Sequence, residues 1–225
     1  MATPHPDRDA LAAELEAARP RLDAREQYLA VVLYRLLAKG EPVAPERLAR
    51  AAGASAVEVR RLLHDQPGVY LDDDGAVIGF WGMTISPTPH RVGLEDGSVF
   101  AWCALDALFL PKLIGAPARV ESRCPVTGEA ITLEVAPDGI GDLSPATAVI
   151  SFLHLDRPFG YDTIESFCHF VHFFVSPEAA REWTTAHPGT FAIGIADAFE
   201  IGGRITRATF GDGLDALAAG HEDAA

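Results

Sequence analysis

SAVEVRRLLHDQPGVYLDDDGAVIGFW, residues 55–81, sets the architecture of the N-terminal half. Ser55 followed three residues later by Glu58 is a capping box, in which the two residues satisfy each other's free backbone donors at a helix start. The helix it opens carries Val59, Leu62 and Leu63 on one face. Two short strands are expected next, at 69–71 and 76–81, joined by an Asp-Asp-Asp-Gly turn of hairpin type. Upstream, Leu29, Val32, Leu33, Leu36 and Leu37 recur at helical spacing to about Lys39, where Gly40 stops the run. A further helix is expected from 45 to about 52, with Pro45 suited to its first turn and Gly53 closing it. Three helices and a hairpin in this order predict a winged-helix-like module over residues 25–82.

That order is common among DNA-binding proteins, but the charges oppose such a use. Between residues 40 and 82 there are four arginines against seven acids, and the wing tip that would lie on phosphate is Asp72-Asp73-Asp74. The whole chain carries a formal charge of −14, poorly suited to displacing counterions from a polyanion. The module is therefore expected to pack rather than bind nucleic acid, since a fold does not carry a function by itself. With 225 residues, 48% hydrophobic and 22% charged, the chain can bury one or two real cores. No apolar run reaches a membrane span; the longest, residues 99–110, is interrupted by Asp106. The start has acids and prolines where a secretory leader needs basic and apolar residues, so a cytoplasmic location is expected.

Outward from the module, residues 1–24 are polar and Ala-rich and read as a loose N-terminal segment, a frayed or weakly docked helix. Downstream, strands are expected at 83–85, 91–94, 118–123, 129–135, 147–155, 169–175 and 191–195. Helices are expected at 99–110, at 177–187 and from 197 onward. Residues 83–210 thus read as an α+β domain, a mostly antiparallel sheet with packed helices. Residues 211–225 read as a flexible acidic tail.

The chemistry concentrates in two places. VFAWCALDALFL, residues 99–110, is apolar at eleven of twelve positions, the exception being Asp106. In a helix Cys103 and Asp106 are three apart and share a face. No Lys or Arg lies within four residues of Asp106 on either side, so its carboxyl is hydrogen-bonded in the core or held neutral by desolvation. It is either a structural acid or a buried proton donor beside a thiol. SFCHFVHFFV, residues 166–175, reads as a buried strand with Cys168, Phe170, His172 and Phe174 on one face. Cys168 and His172 could hold zinc only with two further ligands, and His172 reads rather as a satisfied core histidine. Cys124, with Pro125 and Gly128, looks like half of a zinc knuckle with Thr127 where a second cysteine would stand, and reads as a packed turn residue. Three widely spaced cysteines do not make a disulfide framework. A Cys103 nucleophile served by His169 or His172 remains open on spacing; no GxSxG elbow is present.

The string AWCALDALFLPKLIGAPARVESRCPVTGEAITLEV together with SFCHFVHFFVS resembles the organomercurial (alkylmercury) lyases. The likeness is dense over 99–135 and 165–183 and looser over most of 25–205. It implies that Cys103, Asp106 and Cys168 form the catalytic and mercury-binding site, and that Cys124 is structural. Many members carry two adjacent cysteines at the distal position, where this chain has His169 second. The resemblance further implies an organomercurial substrate, no organic cofactor or resident metal, external thiols for turnover, and hand-over of Hg(II) to an NADPH-dependent mercuric reductase.

Residue chemistry agrees with that expectation. Mercury is a soft ion and thiolate is the softest protein ligand. A second thiolate on an alkylmercury weakens the Hg–C bond and makes its carbon more basic. What remains is to supply a proton in a dry site, and Asp106 is expected to hold one in the free enzyme. Three rivals stand beside the lyase: a non-catalytic carrier of Hg(II) or Cu(I), for which Met1 and Met83 are the available thioethers, a metal or redox sensor using the winged-helix half, and a cysteine hydrolase acting through Cys103. The carrier gives no reason for a lone acid in the apolar run.

Overall fold

The computed structural model describes residues 7–155 and 158–222. Met1 and the outermost parts of the two expected loose segments lie outside the described residues. The chain begins with α1 (Arg8–Ala18), capped by the Asp7 side chain. It continues into α2 (Ala24–Leu37), where Asp23 and Glu26 form a reciprocal capping box. Next come α3 (Pro45–Ala51), with Pro45 in its first turn, and α4 (Ala56–Asp65), opened by the Ser55–Glu58 box. The wing strands β1 (Val69–Leu71) and β2 (Val77–Phe80) follow. The winged-helix order read from the sequence is present.

Strands β3 (Met83–Thr84), β4 (His90–Leu94) and β5 (Gly97–Ala101) lead into α5 (Ala104–Ile114). After them come β6 (Ala118–Arg123), β7 (Ala130–Ala136) and β8 (Gly139–Ser144). These eight strands form one sheet in the order β1-β2-β3-β5-β4-β6-β7-β8, with every neighbour antiparallel. The wing is therefore the edge of the large sheet, and the backbone ladder runs unbroken across position 82. A second sheet contains β9 (Val149–Leu153), β10 (Phe173–Phe174) and β11 (Thr190–Gly194) in the order β10-β9-β11. The short α6 (Thr163–Ser166) and a 3-10 turn at Cys168–Phe170 precede β10. Helix α7 (Pro177–Ala186) lies between β10 and β11, and α8 (Ile195–Glu222) ends the described chain. Among the described residues no helix is long and apolar enough to cross a membrane.

Four expectations need correction. Most of the supposedly loose N-terminal segment is a docked helix: α1 buries Leu11, Ala12, Leu15 and Ala18 and packs on α8. Its small apolar face was too narrow to stand out in an Ala-rich sequence. The Ala18 carbonyl also accepts the Phe159 N–H at 3.0 Å, tying α1 to the loop after β9. The expected flexible tail is likewise ordered through Glu222. Gly213 lies so close to α2 that a Cβ there would stand 2.5 Å from the Gln27 carbonyl, so only glycine permits this approach.

The third correction concerns residues 99–110. Val99 pairs with Val92 and belongs to β5, so the helix starts only at Ala104 and extends to Ile114. β-Branched and aromatic residues favour the ladder at the start of this run. The fourth concerns 169–175, of which only Phe173 and Phe174 form a strand. The Phe170 N–H donates to the Phe167 carbonyl at 2.9 Å, and the Ser151 hydroxyl donates to the Phe170 carbonyl at 2.7 Å. Ser151 Oγ also accepts the His172 N–H at 2.9 Å. These bonds satisfy the backbone without a ladder, and the expected alternation of side chains lapses.

Three helices converge on α8: α1, α2 and α5. Tyr34 lies at their centre, its ring edge-on to Phe80 and Phe210 with centroids 5.2 and 5.6 Å away. Its hydroxyl donates to the Trp81 carbonyl at 2.7 Å. Burial pushes that phenol far above its ordinary range, so it remains a donor. Because Leu15 is fully buried on α1, Leu15→Ala is expected to destabilise the protein by about 2–5 kcal/mol. Urea denaturation measures this, and an unchanged midpoint would mean that α1 is not docked in solution.

Candidate active site

Cys103 stands at the junction of β5 and α5. It is extended (φ −144°, ψ 175°) and caps the helix, with Asp106 at the third helical position. Asp106 Oδ2 accepts the Cys103 N–H at 3.1 Å, the carboxylate half of a capping box. The sequence spacing of three thus serves a helix start, not a face in mid-helix. Cys168 comes from the 3-10 turn sixty-two residues further on. Its thiol donates to the same Asp106 oxygen at 3.9 Å. The ligand atoms of Cys103, Asp106 and Cys168 all lie within 4.8 Å of one another, and all three residues are buried. All three sequence candidates therefore meet.

Burial dominates their protonation. It pushes the Cys103 thiol well above its ordinary value, with the neighbouring Cys168 and Asp106 adding to the rise. Burial also raises Asp106, against hydrogen bonds from Cys103 and the positive charge of Arg19. A hydrogen bond with Cys103 pulls Cys168 down, but burial and Asp106 outweigh it and the thiol ends raised. Burial thus shifts all three groups in the direction of their neutral forms, as desolvation predicts.

A cavity of about 20 Å³ touches the cluster, with Arg19, Trp81, Trp102, Asp106, Phe159 and Cys168 among its walls. That space fits roughly one water. Its floor is Gly82 (φ +89°), where a Cβ would stand 2.6 Å from Asp106 Oδ1. The missing side chain leaves the space in which the Asp106 carboxyl sits. Trp81 beside it is itself in the left-handed region (φ 29°), held by the Tyr34 hydroxyl on its carbonyl.

Sequence reasoning missed Arg19, Trp81, Gly82, Trp102 and Phe159. The Trp-Gly pair closing the wing was a faint signal; nothing in the sequence tied Arg19 or Phe159 to the two cysteines. Other candidates fall elsewhere. His169 is exposed, and its carbonyl meets His172 Nε2 at 2.8 Å. His172 is packed against Trp183 and Phe174, with burial holding its pKa low. Neither histidine joins the thiol–carboxyl cluster. Cys124 is buried in a tight turn closed by the Gly128 N–H on its carbonyl at 2.9 Å. Burial raises its thiol, but hydrogen bonds from the turn, Thr127 first among them, bring the balance below the ordinary value.

Comparison with known proteins places this architecture. Residues 83–207 match the family model of alkylmercury lyase, and residues 9–81 match the helix-turn-helix domain of alkylmercury lyase. The alkylmercury lyase of Bacillus cereus is 43% identical over 170 residues, covering 76% of this chain and 77% of that protein. That of Pseudomonas putida is 42% identical over 174 residues, covering 77% and 81%. That of Streptomyces lividans is 39% identical over 176 residues, covering 78% and 80%. Among solved structures, the mercury-bound form of MerB2 superimposes with a TM-score of 0.69 at 23% identity, covering 90% of this chain and 98% of that one. This last likeness concerns the fold. The chain belongs to the alkylmercury lyase family.

Since Gly82 makes room for Asp106, Gly82→Ala is expected to displace the carboxyl and slow turnover about tenfold or more, as misplaced reacting groups do. Steady-state hydrocarbon release measures this; wild-type kcat in a folded Gly82→Ala protein would show that the close approach is dispensable.

Proposed function

We propose that this protein cleaves the carbon–mercury bond of organomercurials by protonolysis, with Cys103 and Cys168 as mercury ligands and Asp106 as the proton relay. The observation that carries this reading is the position of Asp106 Oδ2, which accepts from the Cys103 backbone and from the Cys168 thiol. A carboxyl so placed reaches both sulfurs.

The substrate arrives as an alkylmercury thiolate. Cys103 exchanges with the carrier thiol, which leaves with the Cys103 proton. Mercury's affinity for soft sulfur then draws the proton from Cys168 as its sulfur binds, and Asp106, which enters this step as a carboxylate rather than with the proton expected from the sequence, receives it. Two thiolates load electron density onto mercury, and the carbon becomes basic enough to take the proton from Asp106. The Hg–C bond breaks, and its electron pair forms the new C–H bond. One alkylmercury thiolate and two protein thiols thus become a hydrocarbon, a mercury bis-thiolate and the free carrier thiol. Asp106 ends as it began. The raised thiol pKa values make mercury, not spontaneous ionisation, the trigger.

No organic cofactor or resident metal enters this sequence, and small external thiols would lift Hg(II) from the cysteine pair. Such thiols are abundant in a reducing cytoplasm, which is where the reading places the protein. A partner that accepts Hg(II) and reduces it, such as an NADPH-dependent mercuric reductase, would complete the detoxification. A carrier that only sequesters mercury is the competing reading, and Asp106 separates the two.

Asp106→Asn keeps the size and polarity of the side chain without an acidic proton. It is expected to capture alkylmercury at both cysteines yet release hydrocarbon about 10²–10⁴-fold more slowly in a single turnover. Gas chromatography of the headspace, with mercury stoichiometry alongside, checks this. Wild-type release by the Asn variant would refute the relay. Cys168→Ser is expected to abolish turnover, because a hydroxyl is too hard to replace thiolate on mercury; near-normal turnover in that variant would end the two-thiolate mechanism.

A further inference from the structure

Arg19 is the first residue beyond α1, and it lines the same cavity as Asp106 and Cys168. Its guanidinium is held by aromatic rings, with Cζ 5.3 Å from the Phe109 centroid, 5.5 Å from Trp81 and 5.8 Å from Phe159. Its Nε is buried and has no hydrogen-bond partner. An unpartnered donor on a cation, set against an apolar core, is costly unless a second charge arrives. The side chain is also close enough to pull electrostatically on Asp106 and Cys168.

The chemistry of the site produces such a charge. An alkylmercury cation bound to two thiolates carries one net negative charge. After the proton reaches carbon, the mercury bis-thiolate is neutral and the negative charge lies on the Asp106 carboxylate. We propose that Arg19 is the fixed counter-charge of this site, offsetting the negative charge first on the mercury–dithiolate centre and then on Asp106. The inference rests on the lyase reading above and adds a residue outside the thiol–carboxyl cluster.

Among the described residues the cation has no ion-pair partner within reach, and the aromatic setting explains how it is held without one. A carboxylate partner would neutralise it; ring faces hold a cation in place and leave its charge available. In a dry site a charge already in position acts strongly and needs no reorganisation at the moment of reaction. Arg19 is thus a positioning and charge-balancing residue, and its place on α1 makes the docked N-terminal helix part of the site.

The test compares wild type with Arg19→Met, Arg19→Gln and Arg19→Lys, using phenylmercury with excess small thiol and gas-chromatographic detection of benzene. The Met and Gln variants are expected to lose about tenfold or more in kcat, with KM little changed and phenylmercury still captured at the cysteines. Lysine restores the charge without the planar guanidinium and is expected to recover most of the loss. A purely structural role would not produce this order, because it would lower thermal stability in all three variants and give Lys no advantage in rate. Wild-type kcat in the Met or Gln variant would overturn the proposal, as would a Lys variant no faster than Gln. If Arg19→Met fails to fold, the Gln–Lys pair carries the same comparison. Benzene release by the wild type keeps the two readings apart: its absence would sink the lyase assignment, whereas its presence with an indifferent Arg19 would sink only this inference.

Discussion

The hydrogen bond from the Cys103 N–H to Asp106 ends a strand, starts a helix and aims a carboxyl, and the other parts of the site are arranged around it. A helix start leaves backbone donors without partners, and a buried one must find acceptors within the chain. An Asp at the third helical position supplies one and is thereby fixed in direction. The same oxygen then meets the Cys168 thiol, brought in by a turn that is far away in sequence. One carboxyl thus joins the local requirement of the helix to the chemistry of two sulfurs.

Burying that carboxyl imposes conditions on its surroundings. Space is made by Gly82, whose backbone stands where a side chain would collide with Asp106. Trp81 next to it is held in an uncommon backbone conformation by the Tyr34 hydroxyl, and Tyr34 is held between Phe80 and Phe210. A path of direct contacts therefore leads from the α2–α8 core to the floor of the site. Helix α1 covers the same region, with Ala18 bonded to the loop that carries Phe159. Desolvation from all sides pushes the acid and both thiols above their ordinary pKa values.

Legibility was uneven for physical reasons. The Ser55–Glu58 capping box, the wing and most strands could be read because each depends on residues a few positions apart. The apolar run with one acid marked Asp106, since an unpaired carboxyl among hydrophobic residues is costly wherever the chain runs. Residues 168–172 misled because their β-branched and aromatic content fits a buried strand, while Ser151 takes up their backbone groups instead. The N-terminal helix misled in the opposite way: alanines supply half of its buried face beside Leu11 and Leu15, and their weak hydropathy hides the docking.

By itself the sequence determined the winged-helix order, the α+β class and the acidic character that disfavours polyanions, and it marked Asp106 as the lone acid of an apolar run. These depend on side-chain type, period and short-range spacing, which a linear chain displays directly. The tertiary structure decided that the wing is continuous with the main sheet, that α1 and the C-terminal helix are docked, and that Arg19, Trp81 and Gly82 stand beside Asp106. Those relations come from the packing of surfaces far apart in the chain onto α8 and the sheet, and no local pattern of residues encodes which distant surface a helix will meet.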